Sequence, residues 1–257
     1  MHQEEKLVFT RPESVIDRAT HYCPGCHHGT IHRLAGEVLD EMGLREKAIL
    51  VASIGCSVFL YNYLDVDAVE SPHGRAPAVA TGVKRARPGN FVFAYQGDGD
   101  LASIGLAEIM HAANRGEKLS IIFVNNTVYG MTGGQMAPTT MEGQKTTTCP
   151  GGRCAEREGL PLRMAEIIGG LDAVAYSARV AVDSVKHLKA AKKAIRKVFE
   201  CQTKGLGFGF VEFLSTCPTN WRMTPVQANE RIAKELIPYF PLGVYKDATA
   251  KAAEEAK

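Results

Sequence analysis

The chain has 257 residues, 45% of them hydrophobic and 23% charged, and its 30 Lys+Arg against 28 Asp+Glu leave a formal net charge of +2. That mix is ordinary for a globular fold and excludes a collagenous or largely disordered chain. The near balance of charge leaves no electrostatic footprint for nucleic acid.

Residues 1–20 form a polar lead-in whose charged start, MHQEEKLVFTRPE, lacks the apolar core of a secretory signal. A dense turn cluster at 21–29 contains Cys-Pro-Gly-Cys, and apolar positions Ile31, Leu34, Ala35, Val38 and Leu39 then predict a helix over about 30–42. The run 48–54 reads as a buried parallel strand ending at Gly55-Cys56-Ser57. The uncharged stretch 48–64 is broken by Gly55 and carries Ser53, Ser57 and Asn62, so it is not a membrane span. Small apolar positions over 74–87 stop at Arg87-Pro88-Gly89-Asn90. A strand at 91–95, a helix from about 103 to 114 and a strand at 119–124 make a β-α-β unit. Residues 130–160 are rich in Gly, Thr and Pro without periodicity, and a loop that long inside a compact domain is expected to be functional. A helix at 161–169 and a strand at 172–180 follow. Ser184 then caps a basic amphipathic helix to about 202, and the last strand, 209–214, delivers Ser-Thr-Cys-Pro-Thr-Asn at 215–220. Residues 246–257 read as a solvated helical tail. The expected fold is α/β, one domain over 1–257 with a doubly wound, mainly parallel sheet. In such sheets ligands sit at the carboxyl ends of the strands, where nearly all of the unusual clusters fall.

The strongest local motif is Gly97-Asp98-Gly99-Asp100 after the second strand, with Asn126 at the end of the next one. The glycines let backbone approach a diphosphate, Asp98 offers a hard anionic oxygen for Mg²⁺, and Asn126 adds an amide oxygen. A backbone carbonyl just beyond completes the protein share. A bare Gly-Asp-Gly is only a turn; in this β-α-β context it reads as a thiamine-diphosphate signature.

Seven cysteines in a chain read as cytoplasmic argue against a disulfide framework and leave metal binding, catalysis or buried thiols. Cys23-x-x-Cys26 alone admits zinc, thiol redox or cluster ligation. Single cysteines also follow two separate strands, at Cys56 and Cys217.

Taken in order, Cys-Pro-Gly-Cys at 23–26, Ile-Gly-Cys-Ser at 54–57, His-Gly-Arg-Ala at 73–76, Gly-Asp-Gly-Asp at 97–100, Asn-Asn-x-x-Tyr-Gly-Met-Thr-x-Gly-Gln at 125–135 and Cys-Pro-Thr-Asn at 217–220 resemble the β subunit of 2-oxoacid:ferredoxin oxidoreductases, nearest the 2-oxoisovalerate and 2-oxoglutarate types. The resemblance covers about 20–245. It implies the diphosphate-binding half of a thiamine-diphosphate enzyme, a cytoplasmic subunit active only with an α subunit that supplies the activating glutamate. Small γ and ferredoxin-like δ subunits often accompany the pair. The implied reaction is oxidative decarboxylation of a 2-oxoacid, with coenzyme A taking the acyl group and electrons passing through a 4Fe–4S cluster to ferredoxin. Cys23, Cys26, Cys56 and Cys217 would hold that cluster, and Asp98, Asn126 and the Val128 carbonyl would hold Mg²⁺. Gly55, Cys56, Ser57, His73, Gly97, Asp98, Gly99, Asp100, Asn126, Tyr129, Gly130, Met131 and Thr132 would border the thiamine diphosphate. Competing readings are a non-redox thiamine-dependent decarboxylase, which has no use for four converging cysteines, and a zinc-stapled binding module.

His73 is the acid–base candidate, with a hydrogen-bonded structural histidine as the alternative. Phe59, Arg75 and Gln135 are the candidate substrate-lining residues. The segments 58–60 and 133–134 carry no cation, which suits a small or branched apolar 2-oxoacid. If Arg75 or the partner supplied a charge, 2-oxoglutarate would fit, and pyruvate is the other alternative. Cys201 is expected to be a packed core thiol, and Cys149 and Cys154 plain loop thiols. His27 and His28 read as solvated. Lys189, Lys192, Lys193, Arg196 and Lys197 make a basic face, solvated or, as the sharper alternative, a ferredoxin dock.

Overall fold

The computed structural model describes residues 10–249. Its elements are α1 (His28–Glu41), β1 (Ala48–Ser53), β2 (Asp67–Ser71), α2 (Ala76–Ala86), β3 (Phe91–Gly97), α3 (Leu106–Asn114), β4 (Ser120–Asn125), β5 (Val128–Tyr129), β6 (Gln135–Met136), α4 (Ala155–Glu158), α5 (Met164–Gly169), β7 (Val174–Ala181), α6 (Val185–Thr203), β8 (Phe208–Leu214), α7 (Pro218–Trp221), α8 (Pro225–Arg231), α9 (Ile237–Tyr239) and β9 (Gly243–Asp247).

Seven strands form one sheet in the order β2-β1-β3-β4-β8-β7-β9, all parallel except the β7–β9 pair. The inner strands are apolar on both faces because helices cover both, as the doubly wound arrangement requires. Alternation along β3 shows the division: Phe91, Phe93 and Tyr95 join α1 and α6, whereas Val92 and Ala94 join α2, α3 and α5. Phe199 of α6 is fully buried, with its ring 4.7 Å from that of Phe91. The Ser184 hydroxyl accepts from the His187 amide, the expected cap of α6. A third apolar group, including Trp221, Ile232, Leu236 and Phe240, closes the carboxyl end of β8.

Strand order around β1 and β3 runs 2-1-3-4, so the chain reverses direction across the sheet between these two strands. A crevice opens at the carboxyl ends of strands at such a reversal, and it is where α/β sheets place ligands.

Three expectations are corrected. Strand β2 was not foreseen: most of it is exposed, so the period-2 signal of a half-buried strand is missing. Residues 246–247 belong to β9, an edge strand rather than a helical tail, and 250–257 lie outside the described residues. The basic face of α6 is not simply solvated: Lys192 Nζ lies 2.7 Å from Glu37 and 2.6 Å from Glu41 of α1, and Arg196 also pairs with Glu41. Among the described residues no helix is long and apolar enough to cross a membrane.

Candidate functional site

At the reversal between β1 and β3 lies a cavity of about 520 Å³, lined by the turns that follow β1, β3 and β4. Of the residues expected around the thiamine diphosphate, Gly55, Cys56, Ser57, His73, Gly97, Asp98, Gly99, Asp100, Asn126, Tyr129, Gly130, Met131 and Thr132 all line it, together with Val128 and Gln135. His28 and Ile54 complete the wall. Phe59 and Arg75 are not part of it. The Phe59 ring packs 4.2 Å from His21, and Arg75 is tied to Glu108 of α3. The guanidinium that the sequence offered to a substrate carboxylate is therefore already neutralised.

Asp98 is 2% exposed, and burial pushes its carboxyl up to about 7. Its partners are neutral: Oδ1 accepts from the Gly99 amide at 2.9 Å, and Oδ2 from the Thr139 hydroxyl at 2.6 Å. A desolvated carboxylate facing a cavity that no Lys or Arg among the described residues lines is an unfavourable state that a bound cation relieves. Asn126 stands nearby, its Oδ1 accepting from the Val128 amide at 3.3 Å and its carbonyl from Trp221 Nε1 at 3.1 Å. Between Asn126 and Val128, Thr127 sits at φ 65°, a left-handed conformation that a β-branched residue avoids unless the surroundings impose it. Asn125 Oδ1 accepts the Thr127 amide at 3.2 Å, which helps to fix that turn. The carboxylate, amide oxygen and carbonyl are hard donors suited to Mg²⁺.

Gly99 makes the cavity deep enough: a Cβ there would stand 2.4 Å from the Tyr129 ring. Asp100, also at the cavity wall, is committed to protein groups. Its Oδ1 accepts from Ser53 Oγ at 2.9 Å and the Gly74 amide at 2.5 Å, and its Oδ2 accepts from Gln96 Nε2 at 2.5 Å. His73 Nδ1 lies 2.9 Å from Asp100 Oδ1, and this contact raises the imidazole above its ordinary value. Asp100 thus holds His73 in place and tunes it.

The cysteine turn at 23–26 and the turns bearing Cys56 and Cys217 meet beside the cavity. A Cβ on Gly130 would lie 3.5 Å from Cys217 Sγ and 3.6 Å from Cys56 Sγ. Burial pushes the Cys26 thiol up to about 12, and negative charge on Cys56, Cys217 and Cys23 adds to the rise. Cys56 is pushed up to about 11 by burial, Cys217 and Cys23. Thiolates held this close would repel one another, and a bound metal centre would relieve that repulsion. Among the described residues no three His, Cys, Asp or Glu side chains crowd a single-ion position. A hydrogen bond of 2.6 Å from Thr216 Oγ1 to the Gly25 carbonyl ties the segment after β8 to the cysteine turn.

His27 and His28 are not solvated, correcting the sequence reading. Both are buried, and burial drives His28 down to about 3. His28 Nδ1 pairs with the Tyr95 hydroxyl at 2.7 Å, and its ring stacks 5.0 Å from Tyr22, whose hydroxyl donates to the Cys56 carbonyl at 3.0 Å. Cys201 is fully buried, as a core thiol should be. Cys149 is buried and Cys154 is partly so, both unbonded.

Sequence reasoning missed Thr139, Thr140 and Arg153, which lie in the aperiodic loop. Thr140 Oγ1 donates to the Thr127 carbonyl at 2.5 Å, and Arg153 holds the loop's carbonyls from within. Nothing in a Gly/Thr/Pro-rich stretch marks such residues, because their partners are atoms brought close only by the fold.

Residues 53–208 match the family model described as thiamine pyrophosphate enzyme, C-terminal TPP binding domain, thiamine pyrophosphate being the same compound as thiamine diphosphate. The chain is 49% identical over 244 residues to the ketoisovalerate oxidoreductase subunit VorA of Methanothermobacter thermautotrophicus, covering 95% of this chain and 51% of that protein. It therefore spans about half the length of that relative. It is 38% identical over 206 residues to the 2-oxoglutarate synthase subunit KorB of Methanocaldococcus jannaschii, covering 79% of this chain and 72% of that one. Its fold is similar to a chain of the 2-oxoglutarate:ferredoxin oxidoreductase from Magnetococcus marinus, solved with 2-oxoglutarate, coenzyme A and succinyl-CoA bound. The TM-score is 0.73 and the identity 25%, over 98% of this chain and 92% of that chain. On its motifs, sheet order and relatives, the chain belongs to the thiamine-diphosphate-binding subunits of the 2-oxoacid:ferredoxin oxidoreductase family.

Proposed function

We propose that the chain is the cofactor-binding subunit of an enzyme that oxidatively decarboxylates a branched or other apolar 2-oxoacid to its acyl-CoA. The observation that carries this reading is Asp98, buried without a Lys or Arg partner at a cavity that Asn126 and Cys56 also line, with Cys217 close to Cys56. Bound thiamine diphosphate supplies the electron sink that decarboxylation requires, and a 4Fe–4S cluster supplies a one-electron exit.

Asp98, Asn126 and the Val128 carbonyl would hold Mg²⁺, with Gly97 and Gly99 admitting the diphosphate to close backbone contact. Cys23, Cys26, Cys56 and Cys217 would hold the cluster. His73 stays protonated further into the neutral range through Asp100 and is the proton-exchanging side chain of the wall. Tyr129 and Met131 would exclude water from the substrate side. No Lys or Arg lines the cavity, and a dicarboxylic substrate would leave its distal carboxylate unpaired in it. This supports the apolar substrate class, as does the ketoisovalerate named for the VorA relative. An α subunit would bring the activating glutamate, with γ and δ subunits and ferredoxin as further partners.

The test is anaerobic co-expression with the α subunit, followed by viologen or ferredoxin reduction across a panel of 2-oxoacids with coenzyme A. Fastest turnover with branched apolar substrates is expected. Failure of thiamine diphosphate and Mg²⁺ to bind, or zinc in place of iron, overturns the assignment.

A further inference from the structure

We propose that Arg153 is a positioning residue for the cation site, acting through Thr139 on Asp98. The side chain is 6% exposed, yet its partners are backbone carbonyls alone. Nη1 donates to Ala137 at 3.3 Å, Pro138 at 2.9 Å and Thr140 at 2.8 Å. Nε donates to Gly159 at 2.8 Å, and Nη2 to Leu160 at 2.9 Å and Glu158 at 3.2 Å. One guanidinium thus grips both limbs of the long loop, 137–140 on one side and 158–160 on the other.

What it grips bears directly on the site. Thr139, inside the first limb, donates to Asp98 Oδ2 at 2.6 Å. Its neighbour Thr140 accepts the Ala137 amide at 2.8 Å and donates to the carbonyl of Thr127, in the turn between Asn126 and Val128. The loop therefore bridges the turns after β3 and β4. Burying a guanidinium that hydrogen-bonds to no carboxylate is costly, and burial lowers its basicity here even with Glu158 nearby. That cost is met by a planar fork of fixed donors satisfying carbonyls that point from several directions. A lysine ammonium has neither the number nor the spread of donors to replace it. Groups that orient a metal ligand in this way typically change metal affinity by about 10- to 100-fold when lost.

The proposal rests on the reading of Asp98 and Asn126 as cation ligands, and its test uses the αβ complex with thiamine diphosphate and Mn²⁺ as a paramagnetic probe. Electron paramagnetic resonance titration gives the Mn²⁺ dissociation constant independently of turnover. Arg153→Lys and Thr139→Val are each expected to weaken Mn²⁺ binding by about tenfold or more, and Thr139→Ser to retain it. Because Arg153 acts through Thr139, the double variant Arg153→Lys/Thr139→Val should lose much less than the product of the single losses. Thr139 variants keep the experiment decisive if Arg153→Lys folds poorly. Wild-type binding with Thr139→Val unaffected, or fully multiplicative losses, overturns the proposal. Absence of Mn²⁺ binding by the wild-type complex would instead overturn the cation-site reading, and this proposal with it.

Discussion

The carboxylate of Glu212 accepts a 2.8 Å hydrogen bond from the side-chain amide of Asn125, joining the middle of β8 to the end of β4 beside the turn at 126–128. Its other oxygen accepts the Ala165 amide at 3.1 Å and pairs with Arg179 at 3.0 Å, both side chains being wholly buried. With Glu212 holding the amide nitrogen, Asn125 Oδ1 is left facing the Thr127 amide. A buried charge in the core of the sheet thus helps to set the conformation of the turn at 126–128.

Replacing Glu212 with Gln should lower stability by about 3 kcal/mol, because Arg179 loses a fully desolvated counter-charge and retains only Glu166. Chemical denaturation of the purified complex measures this. A loss below about 1 kcal/mol would mean that the pair contributes no more than a surface salt bridge.

The thiols separate into two groups in their expected response. Substituting Cys23, Cys26, Cys56 or Cys217 by Ser should lower iron content and abolish the reduced-cluster spectrum of anaerobically prepared protein. Cys149→Ser and Cys154→Ser should keep both. Iron analysis with low-temperature electron paramagnetic resonance decides, and equal loss from the loop thiols would place the centre elsewhere.

His73 predicts a direction in pH. The close contact with Asp100 raises its folded-state value above the ordinary 6.5, so the protonated form is favoured by folding. The contribution is complete below that ordinary value and disappears as pH rises through the raised one. The stability difference between wild type and His73→Gln should therefore shrink from about pH 5.5 to about pH 8.5. A difference that stays flat or grows would show that the ion pair does not form.

Gly74 combines φ 78° with close packing, since a Cβ there would meet the Gly105 amide nitrogen at 2.8 Å. Gly74→Ala should cost about 2 kcal/mol or more, and should loosen His73 next to it. Thermal melting reads the first effect and the nuclear magnetic resonance line width of the His73 ring the second.

The parallel core was readable because buried strands such as 91–95 and 119–124 are continuous apolar runs. The motif residues were readable because glycine and aspartate after a strand have few other uses. Residues whose role depends on distant backbone were not. Arg153 looks like any loop arginine until the carbonyls of 137–140 and 158–160 surround it. Glu212 is a lone charge within the strand 209–214, and nothing in the sequence points to its partners Arg179 and Asn125. Strand β2 escaped because exposure of Asp67, Ala68, Val69 and Glu70 removes the alternation that betrays a half-buried strand. Phe59 and Arg75 were misplaced by proximity in sequence: the turn of 56–62 carries Phe59 onto His21, and Glu108 of α3 captures Arg75.

The hydrogen bond between Thr216 and Gly25 spans 191 positions of sequence. The turn bearing the first two thiols and the one bearing the last are near each other only after every intervening strand has taken its place. A metal centre held by these sulfurs would be inserted into a finished fold, so its loading would report on the whole chain. A subunit stalled between β1 and β8 would lack Cys217 and present an incomplete set of thiols.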